Sequence, residues 1–378
     1  MIKCLLIMHS LGGGAEVLAL SLIKQLDRAK FAPSLVCVKY IPELHSLIPS
    51  DVNLFMPKNN SWLARLSFLR KLFKLSKGSL VIGSLELQSI FWAACVGPKR
   101  SIAWLHKDLG GYFKDKSRLY RFIYTKIATW AFNRCCRVVC VSQGLLKSAK
   151  QTLPALQGSE NKYICINPHL DLAEIEKKSS HPLPNILLKC FARPVVLSVG
   201  RLSVEKNYPL LLKAHALLLK KGFEHNLCIL GEGPQRQLLE KEARRLNITQ
   251  SVFMPGHCNP FPAMKKARVY AMSSNFEGCP LVLVEALSLG LPIVSTNCPS
   301  GPGEIVFNES LGFLVPMNNP EALAQAILNA INLPNDLRCE QIARGKKRAL
   351  NFSLEQIVPQ WEKLLQEVNS QIFARKNI

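Results

Sequence analysis

The sequence predicts an α/β protein with two doubly wound parallel sheets that face each other across a cleft. Three observations predict this fold. The chain has 378 residues, more than one ordinary hydrophobic core accommodates. Short strand-like runs alternate with helical patterns from end to end, as in parallel sheets covered by helices. The alternation occurs twice, and a stretch with few strong periodicities separates the two series between residues 166 and 194.

The elements follow one another in a regular order. The first series of strand-like runs contains Ile2–Met8, Ser34–Val38, Leu80–Ile82, Ser101–Trp104, Arg137–Val141 and Tyr163–Ile166. The second series contains Val195–Val199, Leu227–Leu230, Ser251–Met254, Val269–Met272 and Ile293–Ser295. Between them, Asn167-Pro168 and the sequence HPLP at 181–184 interrupt regular structure. We therefore expect a first domain over residues 1–166 and a second over residues 167–352.

Composition and charge limit the class of protein. Hydrophobic residues make up 48% of the chain and charged residues 20%, which is typical of a globular protein. The 13 cysteines are scattered, mostly inside apolar runs, and indicate buried small side chains in a reducing cytosol. Neither a signal peptide nor a transmembrane span is evident. The net charge is +22, of which residues 1–165 carry +16 (24 Lys and Arg against 8 Asp and Glu), so the first half is expected to face something acidic.

The most informative segment runs from Asn275 to Gly303. It contains Glu277 and Glu285, with a helix start between them, because Pro280 fits the first helical position and Leu281–Leu289 is an apolar helix. Free backbone N–H groups at a helix start bind phosphate, while flanking carboxylates bind neutral hydroxyls. This combination suits an activated sugar.

Two cations follow the first strand of the second series. Arg201 comes directly after Val195–Gly200, and Lys206 precedes a helix that opens at Tyr208. Beside a helix N-terminus, such a pair forms a diphosphate clamp; the alternative is a pair of solvated loop charges. No DxD sequence occurs, so a metal that bridges a nucleotide diphosphate to paired aspartates is not indicated.

Weaker signals lie at other strand ends. The sequence HSLGGGAE at 9–16 lets backbone approach a phosphate or sugar, or forms a plain strand–helix turn. The sequence GEGP at 231–234 is better interpreted as a structural turn. His106 follows the strand Ser101–Trp104 and is either a contact to the reacting sugar or an ordinary loop histidine.

Together these motifs resemble the GT-B glycosyltransferases of family four, which are retaining and use nucleotide sugars. The strongest matches are FEGCPLVLVEALSLGLPIV, with the E-x7-E pair of the family, and VGRLSVEKN, with its Arg/Lys pair. The resemblance covers nearly the whole chain and implies two Rossmann-like domains, the first binding the acceptor and the second the nucleotide sugar. It also implies a C-terminal helix, residues 353–378, that packs back on the first domain.

The resemblance assigns a role to each matching residue. Arg201 and Lys206 would bind the donor diphosphate and stabilise it as it leaves. Glu277 would orient the donor sugar through its hydroxyls, and Glu285 would accept hydrogen bonds from the ribose.

Further contacts are implied around the phosphate. The backbone near Leu281 and Val282 would meet it from one side, Gly13 and Gly14 would close over it from the other domain, and His106 would lie near the sugar. No cofactor or metal is expected, only the donor as a substrate, with UDP the favoured nucleotide and a hexose or N-acetylhexosamine as the sugar.

A basic amphipathic segment concerns the acceptor side. In SWLARLSFLRKLFKLSKG, residues 61–78, apolar and basic side chains interleave at helical spacing, and residues 112–137 add aromatics and cations. We expect peripheral binding to an anionic membrane on the cytoplasmic side, although these cations could instead bind an acceptor pyrophosphate, and the apolar stripe could belong to the domain core. The expected product is a bacterial surface polysaccharide, lipopolysaccharide or related glycan. A nucleotide-sugar epimerase and a basic nucleic-acid-binding protein are the alternatives; the second leaves the Glu277/Glu285 segment unused.

Overall fold

The computed structural model describes residues 1–9, 14–41, 48–85, 87–108, 116–152 and 162–374. The chain divides into two compact units. Unit 1 is Met1–His169 together with the C-terminal segment from Leu354, and unit 2 is Leu170–Ser353. Among the helices of the described ranges, none is both long and apolar enough to cross a membrane.

Unit 1 is a parallel sheet covered by helices. Its elements are β1 (Ile2–Met8), α1 (Gly14–Gln25), β2 (Phe31–Cys37), β3 (Asn53–Phe55), α2 (Trp62–Leu75), β4 (Leu80–Leu85), α3 (Leu87–Val96), β5 (Ser101–Leu105), α4 (Arg118–Arg134), β6 (Arg137–Cys140), α5 (Gln143–Thr152) and β7 (Tyr163–Cys165). The seven strands lie in the order β3-β2-β1-β4-β5-β6-β7, and all neighbours pair in parallel. The order reverses at β1, so the chain winds outward in both directions from the centre.

Unit 2 repeats this design. Its elements are α6 (Leu172–Ser179), α7 (Asn185–Leu188), β8 (Val195–Val199), α8 (Tyr208–Lys220), β9 (Asn226–Leu230), α9 (Arg236–Arg245), β10 (Val252–Gly256), α10 (Phe261–Lys266), β11 (Val269–Met272), α11 (Leu281–Ser288), β12 (Ile293–Thr296), α12 (Pro302–Ile305), β13 (Phe313–Val315), α13 (Pro320–Ile331) and α14 (Asn335–Leu350). The strand order is β10-β9-β8-β11-β12-β13, again parallel. The order reverses between β8 and β11, and the loops that follow these two strands carry the polar residues of interest.

The predicted strands are present, with ends that differ by up to three residues. The prediction missed β3 and β13, and each of these is a three-residue strand at the edge of its sheet. An edge strand pairs on one side only and needs neither length nor a continuous apolar run, so its sequence signal is weak.

The C-terminal helix belongs to unit 1. This helix, α15 (Leu354–Ala374), buries Trp361 against Trp104 of β5, with ring centroids 4.6 Å apart. Its Glu362 carboxylate accepts a hydrogen bond from the backbone N–H of Asp27 at 2.8 Å. In unit 2, the backbone N–H of Leu170 donates to the carbonyl of Phe352 at 2.7 Å, so the first residue of that unit pairs with the segment that ends it.

Candidate active site

The loop after β8 is held in place by the loop after β9. The N–H of Leu202 donates to the carbonyl of Glu232, and the N–H of Gln235 donates to the carbonyl of Leu202, both at 2.9 Å. A Cβ added to Gly231 would lie 2.1 Å from the carbonyl oxygen of Gly200, and the φ of Gly231 is +144°. Only glycine permits this approach of two backbones. The GEGP sequence therefore holds in place the loop that carries Arg201 and Lys206.

Lys206 and Glu277 form an ion pair between the loops after β8 and β11. The Nζ atom of Lys206 is 2.6 Å from Oε1 of Glu277, and the two side chains are only 19% and 13% exposed. Ser274 Oγ donates to the same carboxylate oxygen at 2.7 Å. Burial by itself favours the neutral amine, but the charge of Glu277 and its hydrogen bond outweigh burial and raise the pKa of Lys206. The ammonium of Lys206 is therefore held charged, and the ion pair fixes the geometry of both side chains.

Hydroxyl groups tie the loops around this ion pair to one another. Three side-chain hydroxyls donate hydrogen bonds to the backbone carbonyls of Lys206, Ser274 and Glu277. The three donor–acceptor pairs are Ser273 Oγ to Lys206 O at 2.8 Å, Thr296 Oγ1 to Ser274 O at 2.7 Å, and Ser300 Oγ to Glu277 O. Sequence reasoning missed these hydroxyls, although each one follows or ends a strand, where such residues often position a site.

Glu285 is a half-buried carboxyl on the second turn of α11. Among the described residues it has neither a hydrogen-bond nor an ion-pair partner for its side chain. Burial raises its pKa to about 7. Burial raises the pKa of the Tyr270 hydroxyl well above its usual value. The charges of Glu277 and Glu285 raise this pKa further. The acids therefore face one region of unit 2.

The N-terminus of α11 lies between the two acids in the sequence. Pro280 is the N-cap, with φ −75° and ψ 87°, and the helix begins at Leu281, so the expectation that Pro280 is the first helical residue was wrong by one position. The non-helical ψ of Pro280 explains the difference. No side chain in the described part of the chain caps this helix. The first N–H groups, at Leu281 and Val282, have no acceptor within the helix.

Arg201 is exposed at the carboxyl end of β8. In the described ranges its guanidinium makes no hydrogen bond or ion pair, while its carbonyl accepts a hydrogen bond from Ser203 Oγ at 3.3 Å. An arginine without an intramolecular partner keeps all its donors available for an anion.

His106 lies in unit 1, directly after β5, and is buried. Its Nε2 is 3.4 Å from Ser84 Oγ, and its ring packs 4.5 Å from that of Trp104. Burial, with smaller contributions from the charges of Lys107 and His169, lowers the pKa of His106 to about 3. The imidazole is therefore neutral at physiological pH. His169, which sequence reasoning missed, is also buried with a pKa lowered by burial to about 4.

The glycine loop is described only in part. Gly13 lies outside the described residues, and Gly14 is the first residue of α1. In the ranges that the structure describes, no group of three or more His, Cys, Asp or Glu side chains could hold a metal ion.

Comparisons with known proteins match both units. Residues 12–156 match a family model described as Glycosyltransferase Family 4, and residues 187–348 match one described as Glycosyl transferases group 1. The chain belongs to the GT-B glycosyltransferases. Among solved structures, the Anabaena protein HepE in complex with UDP-glucose superposes with a TM-score of 0.78 at 18% identity, covering 97% of this chain and all of HepE.

Two relatives of this glycosyltransferase are bacterial proteins. An uncharacterised glycosyltransferase of Haemophilus influenzae is 33% identical over 184 residues, 48% of this chain and 52% of that protein. A Campylobacter jejuni α-1,4-N-acetyl-D-galactosaminyltransferase, named for a diNAcBac-PP-undecaprenol-linked substrate, is 29% identical over 305 residues, 80% of this chain and 78% of that protein. The match spans about half the length of the first three curated relatives.

Proposed function

We propose that this GT-B glycosyltransferase is a retaining, metal-independent hexosyltransferase that uses a nucleotide sugar, with UDP as the nucleotide. The observation that carries the proposal is the fixed Lys206–Glu277 ion pair, together with a carboxyl at Glu285 that has no partner in the described residues. The first unit of the fold would bind the acceptor and the second the donor.

The donor diphosphate would bind at three groups. Arg201 supplies an uncommitted guanidinium, and Lys206 uses one ammonium hydrogen for Glu277, which leaves two for phosphate oxygens. The uncapped N–H groups of Leu281 and Val282 supply the helix-terminal positive potential. Gly13 and Gly14 would close over the phosphate. These charges stabilise the diphosphate as it departs, which is the role that a metal ion fills in other transferases.

The two acids would bind different parts of the donor. The Glu277 carboxylate has one oxygen committed to Lys206 and Ser274. Its other oxygen would accept a hydrogen bond from a hydroxyl of the donor sugar. Glu285 would accept from the ribose hydroxyls, and these bonds favour its ionised form.

Retention of configuration would follow from attack on the face that the leaving group occupies. The acceptor oxygen bonds to the anomeric carbon as the bond to the diphosphate oxygen breaks, and the acceptor proton passes to the departing phosphate. No protein nucleophile is needed. The neutral imidazole of His106 would hydrogen-bond a sugar hydroxyl without adding charge near the developing cation.

The acceptor would be a glycan or a lipid-linked glycan of bacterial surface polysaccharide or lipopolysaccharide synthesis. The Campylobacter relative is named for an undecaprenol diphosphate-linked substrate, and the excess positive charge of residues 1–165 suits such an acidic acceptor. We place the protein on the cytoplasmic side of the cell membrane, in peripheral contact with anionic lipid.

Ligand-observed NMR with UDP-, GDP- and ADP-sugars tests donor binding, and a parallel assay with membrane lipid extract and labelled donor tests transfer. We expect binding of a UDP-sugar, loss of that binding in Glu285→Ala, transfer that persists in EDTA, and a product with the anomeric configuration of the donor. Failure to bind any of the three donors refutes the proposal. Conversion of the donor sugar into its epimer without transfer would indicate an epimerase instead.

A further inference from the structure

Helix α4 has two apolar faces, and one of them is exposed. Ala128, Ala131 and Phe132 are buried in unit 1. Leu119, Ile123, Ile127 and Trp130 lie at spacings of four, four and three residues, which places them on one stripe of a helix with 3.6 residues per turn. At 100° per residue, the centre of the buried set lies about 140° around the helix from the centre of this stripe. The exposed stripe therefore does not serve the core of unit 1.

The first half of α4 is exposed on all sides. Every residue from Lys116 to Ile123 is exposed, and the exposed fractions of Leu119 and Phe122 reach 68% and 61%. Large apolar side chains this exposed are ordinary when scattered singly, but a contiguous stripe marks an interaction surface. The second half continues the stripe with Ile127 and Trp130, at 39% and 41%.

The charge around the stripe has one sign. Residues 118–134 contain four cations and no acid. Lys126 Nζ lies 5.5 Å above the ring of Phe122, and the guanidinium of Arg134 lies 5.0 Å from the ring centre of Trp130. Apolar side chains flanked by Lys and Arg, with aromatic rings among them, suit the boundary between headgroups and acyl chains of an anionic bilayer.

Helix α2, which lies in the basic amphipathic segment 61–78, is less suited to insertion. Phe68 and Leu72 of this helix are buried in the core of unit 1. Among the described side chains of this helix, the exposed apolar ones are Trp62, Leu63 and Phe73, which lie at its two ends. Much of its apolar stripe therefore serves the domain, in agreement with the alternative left open by the sequence.

We propose that the exposed face of α4, comprising Leu119, Phe122, Ile123, Ile127 and Trp130, docks this protein on an anionic phospholipid bilayer. The apolar side chains enter the acyl boundary, and the cations of α4 contact lipid phosphates. A second copy of the chain is a poor occupant of this face, because pairing the same helices brings eight cations together without an acid. The inference deepens the proposed membrane contact but does not depend on donor chemistry.

The test is co-sedimentation of the full chain with vesicles, without nucleotide sugar. Vesicles of phosphatidylcholine alone are compared with vesicles containing about 40% phosphatidylglycerol, at low and high salt. The variant L119S/I123S removes two exposed side chains, and the matched control L337S/L350S removes two exposed leucines of unit 2. We expect wild type and control to bind anionic vesicles, and binding by L119S/I123S to fall at least about 30-fold. Circular dichroism and thermal melting verify folding.

Tryptophan quenching by brominated lipid gives a second measurement in which every residue of the stripe stays apolar. Trp104 and Trp361 are fully buried and Trp92 is half-buried, so the exposed reporters in the described residues are Trp62 and Trp130. We expect quenching to persist in Trp62→Phe and to decrease strongly in Trp130→Phe.

Four outcomes overturn the proposal. Absence of wild-type binding to anionic vesicles at low salt refutes the proposal, whether or not the protein binds the donor. Undiminished vesicle binding by L119S/I123S assigns insertion to another surface. Quenching that is lost in Trp62→Phe but persists in Trp130→Phe does the same. A wild-type dimer that becomes monomeric in L119S/I123S, with vesicle binding unchanged, assigns the stripe to self-association.

Discussion

Replacing Glu285 by Gln should stabilise the free protein while weakening donor binding. Burial raises the pKa of this carboxyl from 4.5 to about 7, so the folded protein holds the proton more tightly than the unfolded chain does. The corresponding stability is fully present below about pH 4.5 and is lost as the pH rises through about 7. At about 1.36 kcal/mol per pKa unit, the loss amounts to about 3 kcal/mol at pH 8. Gln cannot ionise, so Glu285→Gln does not lose this stability as the pH rises.

Thermal unfolding at pH 5 and pH 8 measures this effect. Unit 2 spans residues 170–353, that is 184 residues, for which about 3 kcal/mol corresponds to a rise in Tm of about 6–12 °C. We expect Glu285→Gln to melt higher than wild type at pH 8 and close to wild type at pH 5. Glu277→Gln is the matched control, because it leaves Lys206 without its partner and should lower the Tm at pH 8.

Calorimetric titration with a UDP-sugar measures the second half of the prediction. If only the ionised form of Glu285 binds ribose, a pKa of about 7 makes the wild-type Kd about tenfold weaker at pH 6 than at pH 8. Glu285→Gln should bind about tenfold or more weakly at pH 8 and lose this pH dependence. A Tm difference between Glu285→Gln and wild type that is the same at pH 5 and pH 8 would refute the reasoning, since it would show that the carboxyl does not titrate between them.

The remaining predictions concern the Lys206–Glu277 ion pair, the close approach of Gly231 to Gly200, and the buried His106. Lys206→Met should abolish detectable transfer and lower the free energy of unfolding by about 1–3 kcal/mol, because Glu277 loses its cation. Steady-state kinetics measures the transfer, and denaturant unfolding measures the stability. Full activity of this variant would contradict the role assigned to Lys206. Gly231→Ala should destabilise by at least about 2 kcal/mol, because its Cβ meets the carbonyl of Gly200; an unchanged urea midpoint would contradict this packing. The imidazole of His106 should keep constant NMR shifts between pH 5 and pH 8; a titration midpoint in that range would contradict its burial.

The sequence determined the fold class and most of its strands, because alternating apolar runs and helical patterns are local properties of the chain. It did not reveal β3 or β13, whose three residues acquire their structure by pairing with a neighbouring strand. The position of the first helical residue of α11 also differed by one, because the backbone angle of Pro280 is fixed by its surroundings and not by its ring alone.

The residue types of the candidate site were readable from the motifs, but their interactions were not. Lys206 and Glu277 are 71 residues apart, and only the parallel order of β8 and β11 brings their charges to 2.6 Å. The pKa of Glu285 depends on how much water the folded protein excludes, which no spacing encodes.

Helix α4 shows the same division. Its sequence determines that apolar residues lie on more than one face and that cations, without acids, accompany them. Which face enters the core is decided by the neighbouring elements: Ala128 and Phe132 are buried, and Leu119 and Ile123 are left in contact with solvent. Periodicity fixes the direction of side chains around a helix axis, whereas burial depends on what the tertiary structure packs against each side.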